Sequence, residues 1–437
     1  MPKIAPIPAI VFNPPEDRDL STKVAPPYDV LDQDSKNALV QRDPHNIVVV
    51  DLPHLPPKTV GPDETYEQAG RTFRQWIEQG VLKQLDQPAV FVYQQTYTLE
   101  DGRTFERRGV WSNVAIQPFG PGPGGSGGIF PHEQTFGAPK EDRLKLMHAT
   151  RAQLSPIFGL FSDPEDNFGP LLNKHIQSRP ADCFATTDDG VKHEVWLVTA
   201  AEEIEQFSAT LGDRDIFIAD GHHRYTTALN YRQQLEEEGK ELGNGDWCLF
   251  VLVSMQDPGM IVLPTHRVLG EMTDFSLERF IEAAEGKLKV VPHDGGLASV
   301  EAELPKHGPH AMGLYCPASA EQPVSIITTV EDDPLASSNS DKSDAWRSLD
   351  VAIVQELIVK GICEPTFCGG GEVKWKFPHD VEEVEQLVGG GDYQMGLIMQ
   401  STPLEAVRAV SEAGELMPPK STFFYPKLAT GLAVNPL

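Results

Sequence analysis

One stretch constrains the fold more than any other: DIFIAD running into GHHRYTTALNYRQQLEEEG, Asp215 to Gly239. The first part is a short apolar run of strand composition. The second places Tyr225, Ala228, Leu229, Tyr231, Arg232 and Leu235 at approximate helical spacing. Gly221 stands between them, where a backbone free of a Cβ turns most cheaply. Gly239 suits the helix stop. The continuous apolar run WCLFVLVSM (Trp247–Met255) follows as another strand. Strand, helix, strand predicts a βαβ-like unit around the glycine.

The rest of the chain mixes the two periodicities without strict alternation. Thr65 to Gly80 has helical spacing, with Phe73, Trp76 and Ile77 on one face. Glu100-Asp101-Gly102 and Asp188-Asp189-Gly190 mark hairpins. SLDVAIVQELIVKGI reads as an amphipathic helix capped by Ser348. The expected fold class is therefore α+β (mixed α/β) rather than a doubly wound sheet. Three regions are expected, packed as separate parts or as one continuous unit: 1–119, 120–270 with the DGHHR segment, and 271–437 ending in MPPKSTFFYPKL. GPGPGGSGG (Gly120–Gly128) lacks the GK[ST] ending of a P-loop and reads as a mobile loop.

The helix start after Gly221 presents unpaired N–H groups and a positive dipole end, and His222, His223 and Arg224 fill its first turn. Arginine matches phosphate oxygens with paired donors, and a phosphate neighbour favours protonated histidine. The pattern fits an anion site: Gly221, His222, His223 and Arg224 as a phosphate or nucleotide cradle. Asp220 suits a base, a magnesium ligand or a helix cap. Asp29, after Pro26-Pro27-Tyr28, suits a catalytic carboxylate or a turn. Asp29, His132, Glu133 and Asp220 are the candidate metal ligands. Glu133, Lys140, Arg143, Lys420, Ser421, Thr422 and Lys427 are the candidate substrate contacts.

Composition bears on partners. The formal net charge is -28, from 64 acidic and 36 basic residues. Such a surface repels nucleic-acid backbones and anionic membranes but leaves room for a local basic pocket. Five scattered cysteines fit reduced thiols. The N-terminus lacks a signal-peptide pattern, and no apolar run is long enough to span a bilayer. The cytoplasm is the expected location. No oligomeric state follows.

APPYDV (Ala25–Val30), HEQTFGAPKEDRLKLMHATRAQLSPIFGLFSD (His132–Asp163), IADGHHRYTTAL and MPPKSTFFYPKL (Met417–Leu428) together resemble the domain-of-unknown-function 1015 family, in its order. IADGHHRYTTAL alone resembles, more remotely, the phosphate-binding box of ParB N-terminal domains, sulfiredoxins and free-serine kinases. That resemblance implies a ParB/sulfiredoxin-like nucleotide-binding core with additional α+β elements. It implies that Gly221 to Arg224 cradle phosphate. His222 stands where sulfiredoxins have their reactive cysteine, so a thiol mechanism is not supported. The closest analogy is to the kinase-like members. The expected function is a nucleotide-dependent phosphotransferase on a small hydroxylated metabolite or its phosphate ester, with serine or phosphoserine as the example. Asp29, Asp220 and His222 would be its catalytic residues, and a nucleoside di- or triphosphate with Mg2+ its cofactors. A non-catalytic ParB-like nucleotide-binding regulator and a metal-dependent hydrolase using His132, Glu133, Asp220, His222 and His223 are the alternatives.

Overall fold

The computed structural model describes residues 3–122, 127–212, 214–318 and 323–437. Residues 123–126 of the glycine-rich segment lie outside the described residues. The chain divides into two compact units: Met1–Ile261 with Pro426–Leu437, and Val262–Tyr425. Each has its own sheet, and the fold is mixed α/β.

The sheet of the first unit uses, in chain order, β1 (Ile4–Ala5), β2 (Val90–Thr98), β3 (Thr104–Ala115), β4 (Ile129–Phe130), β5 (Ile157–Phe161), β6 (Cys183–Thr186), β7 (Lys192–Val198), β8 (Ile216–Asp220) and β9 (Trp247–Ser254). Their spatial order is β4-β8-β5-β9-β3-β2-β7-β6, with β1 beside β3. The Asp101-Gly102 hairpin joins β2 to β3, and the Asp189-Gly190 hairpin joins β6 to β7. The runs in β5 and β9 are apolar throughout because both strands lie inside the sheet, buried along nearly their whole length.

The unit around the glycine differs from a βαβ crossover. β5 lies between β8 and β9, antiparallel to the first and parallel to the second. Strands β8 and β9 therefore run in opposite senses. Periodicity identifies an element but carries neither its direction nor its neighbour. The intervening partner here is a strand far upstream in sequence. A register shift between Ile218 and Asp220 bulges the end of β8 at the motif. Such bulges re-aim side chains at strand ends.

The helix His222–Glu237 buries Tyr225 and Ala228 against Ile218 and Phe250, and Tyr231 and Leu235 against Met147 of the helix Gly137–Thr150. The helix Asp63–Glu78 packs on the other side of Gly137–Thr150. These contacts fix the N-terminal end of the motif helix beside the 132–136 segment.

The second unit holds β10 (Arg267–Gly270), β11 (Leu288–Pro292), β12 (Met312–Tyr315), β13 (Val324–Thr329), β14 (Lys374–Lys376) and β15 (Met395–Ile398). Their order is β11-β13-β12-β15-β10-β14, antiparallel throughout. SLDVAIVQELIVKGI is not one capped α-helix. Ser348 ends a short turn of helix, Asp344–Arg347, and the next helix starts at Asp350 without a side-chain cap. Ser343 is the capping serine, accepting from the Trp346 N–H. From Val354 to Cys363 the helix is of π type. An amphipathic pattern is compatible with either winding, and only the tertiary packing selects the wider one.

Candidate functional site

Gly221 has φ 98° and ψ 24°, the left-handed region that a Cβ disfavours. It ends β8 and begins the motif helix in one residue. No side chain caps this helix. The Tyr225 N–H bonds back to the Gly221 carbonyl. The preceding amides of the first turn are the orphan donors of any helix start. A Cβ on Gly221 would come 3.1 Å from the Arg224 guanidinium, so the turn and that side chain are fitted together.

Both histidines after the glycine brace a loop. The His132 N–H donates to His222 Nε2 at 3.2 Å, and the Phe136 N–H donates to His223 Nε2 at 3.0 Å. A ring nitrogen that accepts a hydrogen bond carries no proton, so each neutral ring holds its proton on Nδ1. His222 Nδ1 lies 3.8 Å from Glu133 Oε2. The His132 and His222 rings meet edge to face at 4.6 Å. Burial pushes His222 well below the ordinary histidine value, helped by neighbouring basic groups. It lowers His132 and His223 to about 4. At neutral pH these rings are uncharged.

The positive charge of the site comes from elsewhere. Arg224 Nη2 donates to Asp220 Oδ2 at 2.7 Å, and its Nη1 donates to the Pro156 carbonyl. Lys427 Nζ lies 3.1 Å from the other oxygen of Asp220. Burial alone would raise the Asp220 carboxyl, but Lys427 and Arg224 outweigh it and hold it below the usual carboxylate range. Asp29 is ion-paired to Lys58 at 3.1 Å. The charges of Lys58, Asp29, Lys140 and Arg224 are all felt at the His223 ring. Asp29, Lys58, Lys140, Asp220, His223 and Arg224 thus share one neighbourhood, with Lys427 joined through Asp220.

Arg143, expected at substrate, is buried. Its Nε donates to Asp142 at 2.7 Å and its Nη1 to the Asp51 carbonyl at 2.7 Å, while Tyr28 lies over the guanidinium at 3.9 Å. Asp142 also accepts from Tyr66 at 2.7 Å and contacts His54 at 2.8 Å. Asp51 accepts from Ser155 at 3.0 Å. A cavity of about 40 Å³ separates Arg143 from Arg224, large enough for a few waters. This network underlies Tyr28 and therefore sets the position of Asp29.

Lys58, Asp51, His54 and Tyr66 were not singled out from the sequence, whereas Asp142 reads with Lys140 and Arg143 as a contact to substrate anions or part of a solvated helix face. Asp142 was visible as a charged residue beside Arg143 in KEDR, but nothing local distinguished its inward face. Lys58 follows a proline pair without any periodic pattern. Lys420, Ser421 and Thr422 belong to the second unit. There the Lys420 carbonyl accepts from Arg267 at 2.9 Å, and the Ser421 hydroxyl donates to the Pro418 carbonyl at 2.5 Å. Among the described residues no three His, Cys, Asp or Glu side chains are grouped to hold a metal ion. No helix among them is long and apolar enough to cross a membrane.

The chain is similar in structure to a free serine kinase in complex with AMP, at 14% identity and a TM-score of 0.33, over 70% of this chain and 88% of that one. A conserved hypothetical protein from Pyrococcus furiosus is similar at 15% identity and a TM-score of 0.32, over 70% and 92%. SbnI with C-terminal truncation from Staphylococcus aureus is similar at 11% identity and a TM-score of 0.32, over 70% and 83%. These likenesses are too distant to assign an activity. No curated protein matches the chain in sequence. Residues 4–352 match the model of the family described as "Protein of unknown function (DUF1015)", and the chain belongs to that family.

Proposed function

We propose that the first unit binds a nucleotide by its phosphates at the Gly221 turn and transfers phosphate to or from a small hydroxylated metabolite, serine being the example to test first. The observation that carries this reading is the uncapped helix start after a left-handed glycine, with the charges of Lys58, Asp29, Lys140 and Arg224 acting at its His223 and Lys427 paired to Asp220. Amide N–H groups and cations at one helix end are what a polyphosphate needs. On this view β8, the glycine turn and the motif helix form a ParB/sulfiredoxin-like nucleotide-binding core.

The roles then follow from the contacts. The first-turn amides and the lysines neutralise the transferred phosphoryl group. Asp29 accepts the proton of the attacking hydroxyl as its oxygen bonds to phosphorus and the nucleoside diphosphate leaves. Asp220 is ion-paired to Arg224 and Lys427 and offsets part of their charge. His222 and His223 act as neutral positioning residues that hold the 132–136 segment over the helix end. A magnesium ion would be bound mainly by phosphate oxygens and water, with Asp29 or Glu133 as the protein carboxylates within reach of this role.

The test is incubation of the purified protein with ATP or ADP, Mg2+ and serine, and separately with phosphoserine and ADP, followed by phosphorus NMR. Other small hydroxylated metabolites extend the panel. Turnover that is lost in Asp29→Asn with nucleotide affinity retained supports the reading. Tight nucleotide binding without product across the panel would favour the non-catalytic regulator. Absence of nucleotide binding would overturn both.

A further inference from the structure

Arg267, in β10 of the second unit, is almost fully buried yet has no acidic partner. Its Nη1 donates to the carbonyls of Thr265 and His266, and its Nη2 to the carbonyl of Lys420. The ring of Phe377 lies 5.0 Å from the guanidinium carbon. No carboxylate among the described residues pairs with it, and burial alone lowers it to about 10. A buried cation with only carbonyls and a ring face for company is costly unless something else meets its charge.

Arg267 lines a pocket of about 380 Å³, within the range of small-molecule sites. One wall is aromatic: Trp375 and Phe377 stack at 5.9 Å with an interplanar angle of 18°. The lining also includes Gln355 and Val359 of the π-helix Val354–Cys363. π-Helical segments recur at functional sites because their wider turn displaces side chains from the regular ladder. Glu364 and Glu372 also line the pocket, and no basic side chain among the described residues is ion-paired to either. Lys360, the other cation there, is already bound to Glu356 at 2.8 Å.

The lining therefore includes a buried positive group and separate negative groups, none with an ion partner among the described residues, together with an apolar aromatic surface. We infer that it binds a small zwitterion: an acid group on Arg267, an ammonium on Glu364 or Glu372, and an apolar body against Trp375 and Phe377. An amino acid with an aromatic or branched aliphatic side chain has this chemistry. The site lies wholly in the second unit and is independent of the phosphate reading of the first.

Isothermal titration of the full chain tests it with four probes: L-phenylalanine, 3-phenylpropionate, 2-phenylethylamine and phenylalanine amide. L-Phenylalanine should bind at least about tenfold more tightly than any of the other three, which lack one of its charges. Glu364→Gln combined with Glu372→Gln should bring its affinity toward that of 3-phenylpropionate. Gln355→Trp fills the pocket while keeping Arg267 and both glutamates, and should abolish binding with the melting temperature retained. Arg267→Met is the direct variant, but a loss of folding there would say nothing about binding, so Gln355→Trp decides. No binding of any probe at millimolar concentration overturns the inference. Equal binding of the zwitterion and either singly charged probe overturns it too, as does undiminished binding by Gln355→Trp.

Discussion

Replacing Asp220 by asparagine separates the two things that its carboxylate does. It holds Arg224 at 2.7 Å and Lys427 at 3.1 Å, with its side chain about a quarter exposed. Its proton affinity is depressed by those cations, so it is ionised in the native state throughout the neutral range. A group depressed in this way contributes stability that is present above its unfolded value and lost only as the pH falls through its folded one. At neutral pH the whole contribution is therefore at stake. Removing one partner of a buried pair costs about 3–5 kcal/mol. Asparagine keeps one accepting oxygen and water reaches the site, so about 2–3 kcal/mol is expected here. For a unit of this size that is a fall in melting temperature of about 5–10 °C. Anion binding should move the other way. The carboxylate competes with phosphate for both cations, and removing a unit charge about 6 Å from a bound phosphate relieves about 1 kcal/mol of repulsion. The measurement is calorimetric melting at pH 7, with titration of AMP and ADP in magnesium-free buffer. Lower stability with about fivefold tighter nucleotide binding is expected. A parallel loss of stability and affinity would refute the argument, because it would mean that the carboxylate assists the ligand.

Three further outcomes are expected. Gly221→Ala forces a side chain into the left-handed region and against Arg224, so it should cost about 1–2 kcal/mol and weaken nucleotide binding about tenfold; wild-type melting and affinity would contradict the turn's role. His132 is lowered from 6.5 to about 4 by burial, so the unfolded chain takes up its proton first. Stability from this ring should be complete above about pH 6.5 and fall as the pH drops toward 4, by about 2 kcal/mol at pH 5, a component that urea unfolding should no longer show in His132→Asn. Arg143→Met removes the centre of the buried network and should cost about 3–5 kcal/mol. If Arg143 instead touched substrate, its loss would appear in affinity with melting unchanged.

Much of the fold could be read locally. The apolar runs of β5 and β9, the two Asp-Gly hairpins and the helix after Gly221 each carry their own periodicity or turn chemistry. Sheet order did not follow, because β8 meets β5 and β4 through pairings with distant segments. The π-type winding at Val354 left no mark on the hydrophobic pattern. The same division runs through the site. Gly221 was legible because a single backbone position demanded it. Asp29 and Lys140 were legible as chemistry, and folding brings both toward His223. Lys58 was not, since one lysine after prolines resembles any solvated surface residue. Arg143 looked like an exposed cation on a helix dense in charge. Its burial depends on Tyr28 and Asp51 arriving from two other short helices, beside Asp142 of its own helix.

The histidines show why residue type alone does not give a role. Three imidazoles near a helix start suggest a cationic or metal-binding cluster. Here the ring nitrogens at His222 and His223 accept backbone N–H groups from the 132–136 segment, and burial keeps the rings neutral. Accepting those bonds is possible only without a proton on Nε2. Acidification would therefore break the brace before it strengthened any phosphate contact, since the second proton would have to enter where the amides already donate. The helix end is consequently held in place by neutral rings, while its positive charge is supplied by Lys58, Lys140, Arg224 and Lys427 from four separate parts of the chain. The rings therefore contribute position rather than charge, the reverse of what a histidine cradle for phosphate would need.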